Sequence, residues 1–386
     1  MSRIPPVIVP CAISLLLVAT FSYPARSQTH VIDLGSANAT APQAFSLLRG
    51  ARELGDGRLV ITDWLEQRLS VIDFERRTIE DRGRLGAGPE EFRLPGAILP
   101  FRADSLLLVD IGNGRLAVLD ENAQIRRSFV PSHPAATSPA GADGRGNLYF
   151  TIPPWLANPP LADDSVSLSR INATTRQITP VVFVHGNAML TTPAPQPRVP
   201  FVIFAPQDSW RVTRSGRIVI VRGGDYSIES IESDGVRRRG PSHAGRARPV
   251  TMAERRSYVR RFLAGSPIGG RGSEGLTLAP AEQMSDAFVD GVVQASTFAE
   301  TLPHFAAGEL WLDALERLWV GRTVADAERR LYDIFDGGGR RITTVRLGID
   351  QHLLAVGRSH VYVAVTDQDG MQTIERVLLP AALTEG

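Results

Sequence analysis

Three residues recur at a single spacing. Asp63, Arg68 and Asp73 reappear as Asp110, Arg115 and Asp120, each displaced by 47 positions. In both stretches an apolar run (Leu59–Asp63, Leu106–Asp110) ends in the first aspartate, a turn follows, and a second run from the arginine ends in the second aspartate. Short apolar runs joined by tight turns form antiparallel hairpins. A hairpin repeated at this period, with a strand on either side, is the unit of a propeller blade.

The hairpin can be followed along the chain with decreasing likeness. Asn147–Ile152 precedes Val166–Ile171, Arg217–Arg222 precedes Tyr226–Ile231, Arg317–Gly321 precedes Arg330–Asp336, and His360–Val365 precedes Gln372–Val377. With the first two pairs these make six units. They predict an all-β chain folded as a six-bladed β-propeller, with seven blades as the alternative count. Val31–Leu34 is a stray apolar run near the N-terminus. In a closed ring such a strand completes the last blade and removes both free sheet edges.

Asp63 and Arg68, like Asp110 and Arg115, stand five apart before a strand ending in aspartate, which resembles the core of the NHL repeat. Gly86-Ala87-Gly88-Pro89-Glu90-Glu91-Phe92 with Pro95 resembles that family's glycine-rich linker between blades. The chain is similar to bacterial exported six-bladed propellers of the NHL/TolB-like type. The likeness is sharp in the first two units only, because units three to six lack the Asp/Arg pair.

The N-terminus carries an address. Arg3, the apolar run Val7–Phe21 and Ala25-Arg26-Ser27 have the charged, apolar and small-residue order of a secretory signal. Residues 1–27 are therefore expected to be removed, leaving residues 28–386 as one exported propeller domain, periplasmic or extracellular, without a transmembrane segment. The only cysteine, Cys11, lies inside the signal, so the mature chain has no disulfide or thiolate chemistry. All 42 basic residues are arginine, which excludes lysine Schiff bases, lysine general bases and the P-loop lysine. The net charge of +1 gives no general reason to expect a nucleic-acid partner.

Long connections interrupt the pattern in three places: Pro153–Ser165 inside unit three, His185–Pro200 between units three and four, and 240–302 between units four and five. Loops after the second and fourth strands share one face of a blade, so the three converge on one side of the disc, where recognition commonly sits. The segment 240–302 reads as a helical insertion. Thr251 to Glu254 fits a capping box, and Met252, Val259, Phe262 and Leu263 form a helical stripe. A second helix is expected from Pro280, with Met284, Phe288 and Val292 at four-residue spacing. The pair either covers the central funnel as a lid or packs on the rim.

Between Arg237 and Arg261 there are nine arginines and one acid, Glu254. Arg255, Arg256, Arg260 and Arg261 give this basic patch its helical part, suited to an anionic partner or to a solvated helix face. The seven histidines show no i,i+3 or i,i+4 pairing and no HExxH, so no metal site is expected from them. The Asp/Arg pairs read as structural, the aspartate accepting from turn amides and the arginine pairing across the hairpin.

These features predict a binding or scaffold protein, monomeric and without a cofactor, that recognises a protein or small-molecule partner through its long-loop face. Trp64, Asn113, Trp155, Arg222, Tyr226 and Arg322 are the expected contacts, since they lie at loops between second and third strands. The enzymatic alternative is a calcium-dependent propeller hydrolase, lactonase or lyase, with Asn113, Asp225 and Asp110 as oxygen donors around Ca2+. A quinone-cofactor dehydrogenase is a third class.

Overall fold

The computed structural model describes residues 30–152, 165–186, 202–264, 267–268, 277–278, 284–323, 329–348 and 350–384. The expected signal (1–27), Trp155 and Pro280 lie outside them.

Six antiparallel sheets follow one another along the chain. Blade 1 comprises Leu48–Glu53, Leu59–Asp63, Arg68–Asp73 and Thr78–Asp81, and blade 2 comprises Pro95–Pro100, Leu106–Asp110, Arg115–Leu119 and Ile125–Phe129. Blade 3 comprises Gly141–Ala142, Leu148–Ile152, Ser165–Ile171 and Ile178–His185. Blade 4 comprises Ser209–Val212, Ile218–Arg222, Ser227–Ile231 and Arg237–Ser242. Blade 5 is built on Phe305–Leu312, Leu318–Arg322, Leu331–Phe335 and Arg341–Arg346, and blade 6 on Gln351–Val356, His360–Thr366 and Gln372–Leu378.

The core consists of apolar slabs, one between each pair of neighbouring blades. Leu59 and Ile61 face blade 6, packing with Tyr362, Ala364 and Ile374. Val60 turns the other way, into a cluster with Ile98, Leu106 and Leu108 of blade 2. Alternation with both faces buried explains why the second and third strands read as unbroken apolar runs. Four more slabs join blades 2 and 3, 3 and 4, 4 and 5, and 5 and 6. The slab between blades 6 and 1 closes the ring.

The N-terminal strands correct one expectation. Val31–Asp33 does not complete the last blade; it runs parallel to Arg341–Arg346 as a fifth strand on blade 5. Closure is made by Ala37–Thr40, which pairs antiparallel with Gln372–Leu378 as the outer strand of blade 6. Ala-Asn-Ala-Thr carries no apolar run because this strand is mostly exposed. Backbone hydrogen bonds, rather than side-chain burial, place it.

Helices α1 (Met252–Ala264) and α2 (Asp286–Ala295) lie between blades 4 and 5 in the chain. The capping box forms: Thr251 N–H donates to Glu254 Oε2 at 2.8 Å, and Glu254 N–H donates to Thr251 Oγ1 at 3.2 Å. α2 starts after Ser285, whose hydroxyl accepts from Phe288 N–H. Its buried residues are Val289 and Val293, packed on Val259 of α1. Met284 and Val292 of the expected stripe pack against this cluster, but Phe288 is 56% exposed, with Phe262 and Met252 of α1 also exposed. The pair rests on the segment entering blade 4, where Tyr258 meets Phe204 edge-on at 5.1 Å and Val202–Ile203 pairs with Thr297–Phe298.

Candidate functional site

Antiparallel strands put successive connections at alternate ends of a blade, so the ring has a long-loop face and a face of short turns. Five of the six expected contacts belong to the long-loop face and are described. Most are committed within the protein. Asn113 donates to Gly86 O at 2.9 Å and to Asp110 Oδ2 at 2.8 Å. Arg115 adds bonds to Asp110 and to the carbonyls of Ala87, Gly88 and Glu91, fastening the glycine-rich linker. Arg222 bridges Asp208 at 2.6 Å and Glu229 at 2.7 Å, and its pKa is raised: burial opposes the charge, but the two carboxylates outweigh it.

Tyr226 is corrected as a surface contact. It is 3% exposed, and its hydroxyl donates to Asp333 Oδ2 at 2.8 Å. Arg322 grips the same carboxylate in a fork, at 2.8 and 2.7 Å, and Thr344 donates to it at 2.7 Å. Burial pushes the Asp333 carboxyl up, but the Arg322 guanidinium and its companions hold it below the usual range. Trp64 is half-buried; Arg49 sits 5.1 Å over its ring, and its buried indole N–H has no partner among the described residues.

The basic patch is also corrected. Arg256 makes a forked pair with Asp290 of α2 at 2.6 and 2.8 Å, and Arg260 pairs with Asp286. Arg255 lies over the Phe298 ring at 5.1 Å. Arg261 is held below its ordinary pKa by burial and by Arg330. The excess counted along Arg237–Arg261 is reduced, at its helical end, by Asp286 and Asp290 of α2, outside that window.

A cavity of about 680 Å³ opens instead where the six inner strands meet the short turns. Its size is that of an ordinary small-molecule site. Its walls carry Arg49, Arg52, Arg211, Arg214 and Arg358. Arg211 donates to the carbonyls of Leu310, Trp210 and Gly308, and Arg358 donates to Gly55 O. Arg214 pairs with Asp104 at 3.4 Å and donates to Ala103 O. Arg52 has no hydrogen bond or ion pair among the described residues. Burial lowers the pKa of Arg52 to about 10, with Arg214 nearby as a second cause. Burial lowers Arg211 to about 10 as well, although Glu309 opposes it.

The acids on these walls are in use. Glu53 accepts from the Tyr362 hydroxyl at 2.8 Å and from Arg358 N–H at 3.1 Å. Asp313 pairs with Arg317 at 2.7 Å and Glu316 with Arg217 at 3.3 Å.

Sequence reasoning missed this site because it followed the hairpins and left the inner strands as weak flanks. A signal existed. Arg52 and Arg211 each stand five residues before a turn glycine, Gly57 and Gly216, at equivalent positions of blades 1 and 4. A charged residue inside a strand, repeated at one register, marks a surface that is not core.

The aspartates expected to hold calcium are engaged with other side chains. Asp110 is tied to Arg115 and Asn113 in blade 2, and Asp225 to Ser227 and Arg239 in blade 4. Among the described residues no group of three or more His, Cys, Asp or Glu side chains is placed to hold a metal ion. No helix among them is long and apolar enough to cross a membrane.

No family model matches the chain, and no curated protein matches it. Solved structures with the same ring architecture include regucalcin, a calcium-binding protein from Agrobacterium tumefaciens, at 11% identity and a TM-score of 0.43, covering 90% of this chain and 96% of that one. A DUF4221 family member from Bacteroides vulgatus matches at 10% identity and a TM-score of 0.45, covering 89% and 97%. A putative gluconolactonase matches at 13% identity and a TM-score of 0.43, covering 90% and 95%. At such identities the likeness is one of fold alone.

Proposed function

We propose that the protein is an exported, monomeric binding propeller of the NHL/TolB-like type that takes a small-molecule ligand into its central cavity. One observation carries this reading. The cavity of about 680 Å³ is walled by inner strands of all six blades, with arginine side chains turned onto it. A rigid ring holding polar groups around a concavity is a preformed site.

Ala140 is exposed and lines the cavity, so Ala140→Trp should plug it while leaving the blade slabs intact. Thermal-shift screening of the full mature chain against a panel of metabolites tests the proposal. Ligands that stabilise the wild type should lose their effect on the plugged variant. Ligands that stabilise both equally would move the site elsewhere.

The exposed Phe262, Phe288 and Met252 on the helical pair favour a second reading, a protein partner on the long-loop face. Phe262→Glu with Phe288→Glu should then abolish complex formation without changing the melting temperature by more than a few degrees. The calcium-dependent hydrolase or lyase lacks a donor set among the described residues. Melting curves with calcium and with chelator test it, and superimposable curves are expected.

A further inference from the structure

The geometry points to a small organic anion, with a carboxylate or phosphate head, bound at the short-turn end of the cavity by the Arg52 guanidinium with Arg214 beside it. This deepens the ligand-binding reading above and rests on it.

Arg52 carries the argument. It lines the cavity and is partly exposed, yet it has neither hydrogen bond nor ion pair among the described residues. Buried or enclosed charges are ordinarily paired. Three other arginines of the wall follow that rule, through the carbonyls around Arg211, Gly55 O at Arg358 and Asp104 at Arg214, and Arg49 lies over the Trp64 ring instead. The neighbouring acids cannot serve Arg52, because Glu53 is bonded to Tyr362 and Arg358 and Asp313 to Arg317.

The influences on Arg52 oppose its charge. Burial and then Arg214 work against its charge, so its pKa falls to about 10 and it still carries a proton at neutral pH. Arg214, though paired with Asp104, is exposed and keeps donors to spare, and guanidiniums on one cavity wall are complementary to a forked oxyanion, which would accept from both. An empty site of this kind costs the apo fold stability, and an anion restores it by mass action.

The test uses citrate and inorganic phosphate as probes on the full mature chain, each against sodium chloride of equal ionic strength. Both melting temperature and calorimetric affinity are read. The expected result is stabilisation of the wild type beyond the chloride control, with affinity reduced roughly 10- to 100-fold in Arg52→Gln. Ligand-free Arg52→Gln should also melt a few degrees higher than the wild type, a gain that a merely structural arginine would not show. Arg214→Gln, at an exposed turn, is the second variant and should weaken the same probes.

Equal stabilisation of wild type and Arg52→Gln overturns the inference, because the anions would then act at outer arginines. Absence of any effect beyond chloride overturns it too. A neutral panel ligand blocked by Ala140→Trp but indifferent to Arg52→Gln would leave the cavity reading standing and remove the anion.

Discussion

The Tyr226 hydroxyl donates to Asp333 Oδ2 across the boundary between blades 4 and 5, at 2.8 Å. Asp333 is fully buried and is held at the same time by Arg322, Thr344 and, at 3.4 Å, Arg341. One carboxylate therefore organises the second, third and fourth strands of blade 5 and ties them to the neighbouring blade. Tyr226 reaches it from a left-handed backbone position, φ 52°, at the turn of its hairpin.

Removing only the tyrosine hydroxyl leaves the carboxylate with its arginines, so Tyr226→Phe should cost about 1–2 kcal/mol. Asp333→Asn strips the counter-charge from a buried pair and should cost roughly 3–5 kcal/mol at neutral pH. The folded pKa of Asp333 lies below its ordinary 3.8, so its stabilisation is complete above that value and disappears as pH falls through the lower folded value. Denaturant unfolding at pH 7 and at pH 3 should show the difference between wild type and Asp333→Asn shrinking in acid. A constant difference would mean that the carboxylate charge is not the source.

His352, on the inner strand of blade 6, has its pKa lowered to about 4, by burial first and by Arg330 second. The unfolded chain binds this proton near pH 6.5 and the folded chain only near 4, so stability falls as pH drops through that window. Melting temperatures taken from pH 7 to pH 4 should decline more steeply for the wild type than for His352→Gln. Parallel curves would show that His352 stays accessible to protons.

Ring closure separates the two N-terminal strands. A chain beginning at Gly35 loses Val31–Asp33, including the exposed Asp33–Arg346 pair at 2.5 Å, and should unfold nearly as the longer chain does. A chain beginning at Ala41 loses Ala37–Thr40 as well and exposes the edge of Gln372–Leu378. It should melt at lower temperature and self-associate through that edge. Calorimetry and light scattering on both chains check the contrast.

The hairpins were legible because both faces of their strands are buried, so Leu59–Ile61 and Leu106–Val109 had to be apolar throughout. The closing strand was not, since Ala37–Thr40 contributes backbone bonds while its side chains stay mostly in solvent. In the second helical stripe Phe288 was misplaced, because Met284, Phe288 and Val292 satisfy the same four-residue spacing as Val289 and Val293. Only the docking of α2 on Val259 chooses between them. The arginine patch looked unbalanced because Asp286 and Asp290 lie some thirty residues beyond its helical arginines in the chain yet beside them in space. The site itself stayed hidden because Arg52 and Arg211 reach one cavity only when the ring forms, and their shared register before Gly57 and Gly216 was the sequence sign of it.

An anomalous difference map from crystals of the mature chain soaked in selenate, a scattering stand-in for phosphate, tests the central claim most directly. A selenium peak in the cavity, within hydrogen-bonding distance of the Arg52 guanidinium and absent from Arg52→Gln crystals, is the predicted result. Peaks confined to the outer arginines, such as Arg238 on the exposed strand of blade 4, with an empty cavity, would contradict it.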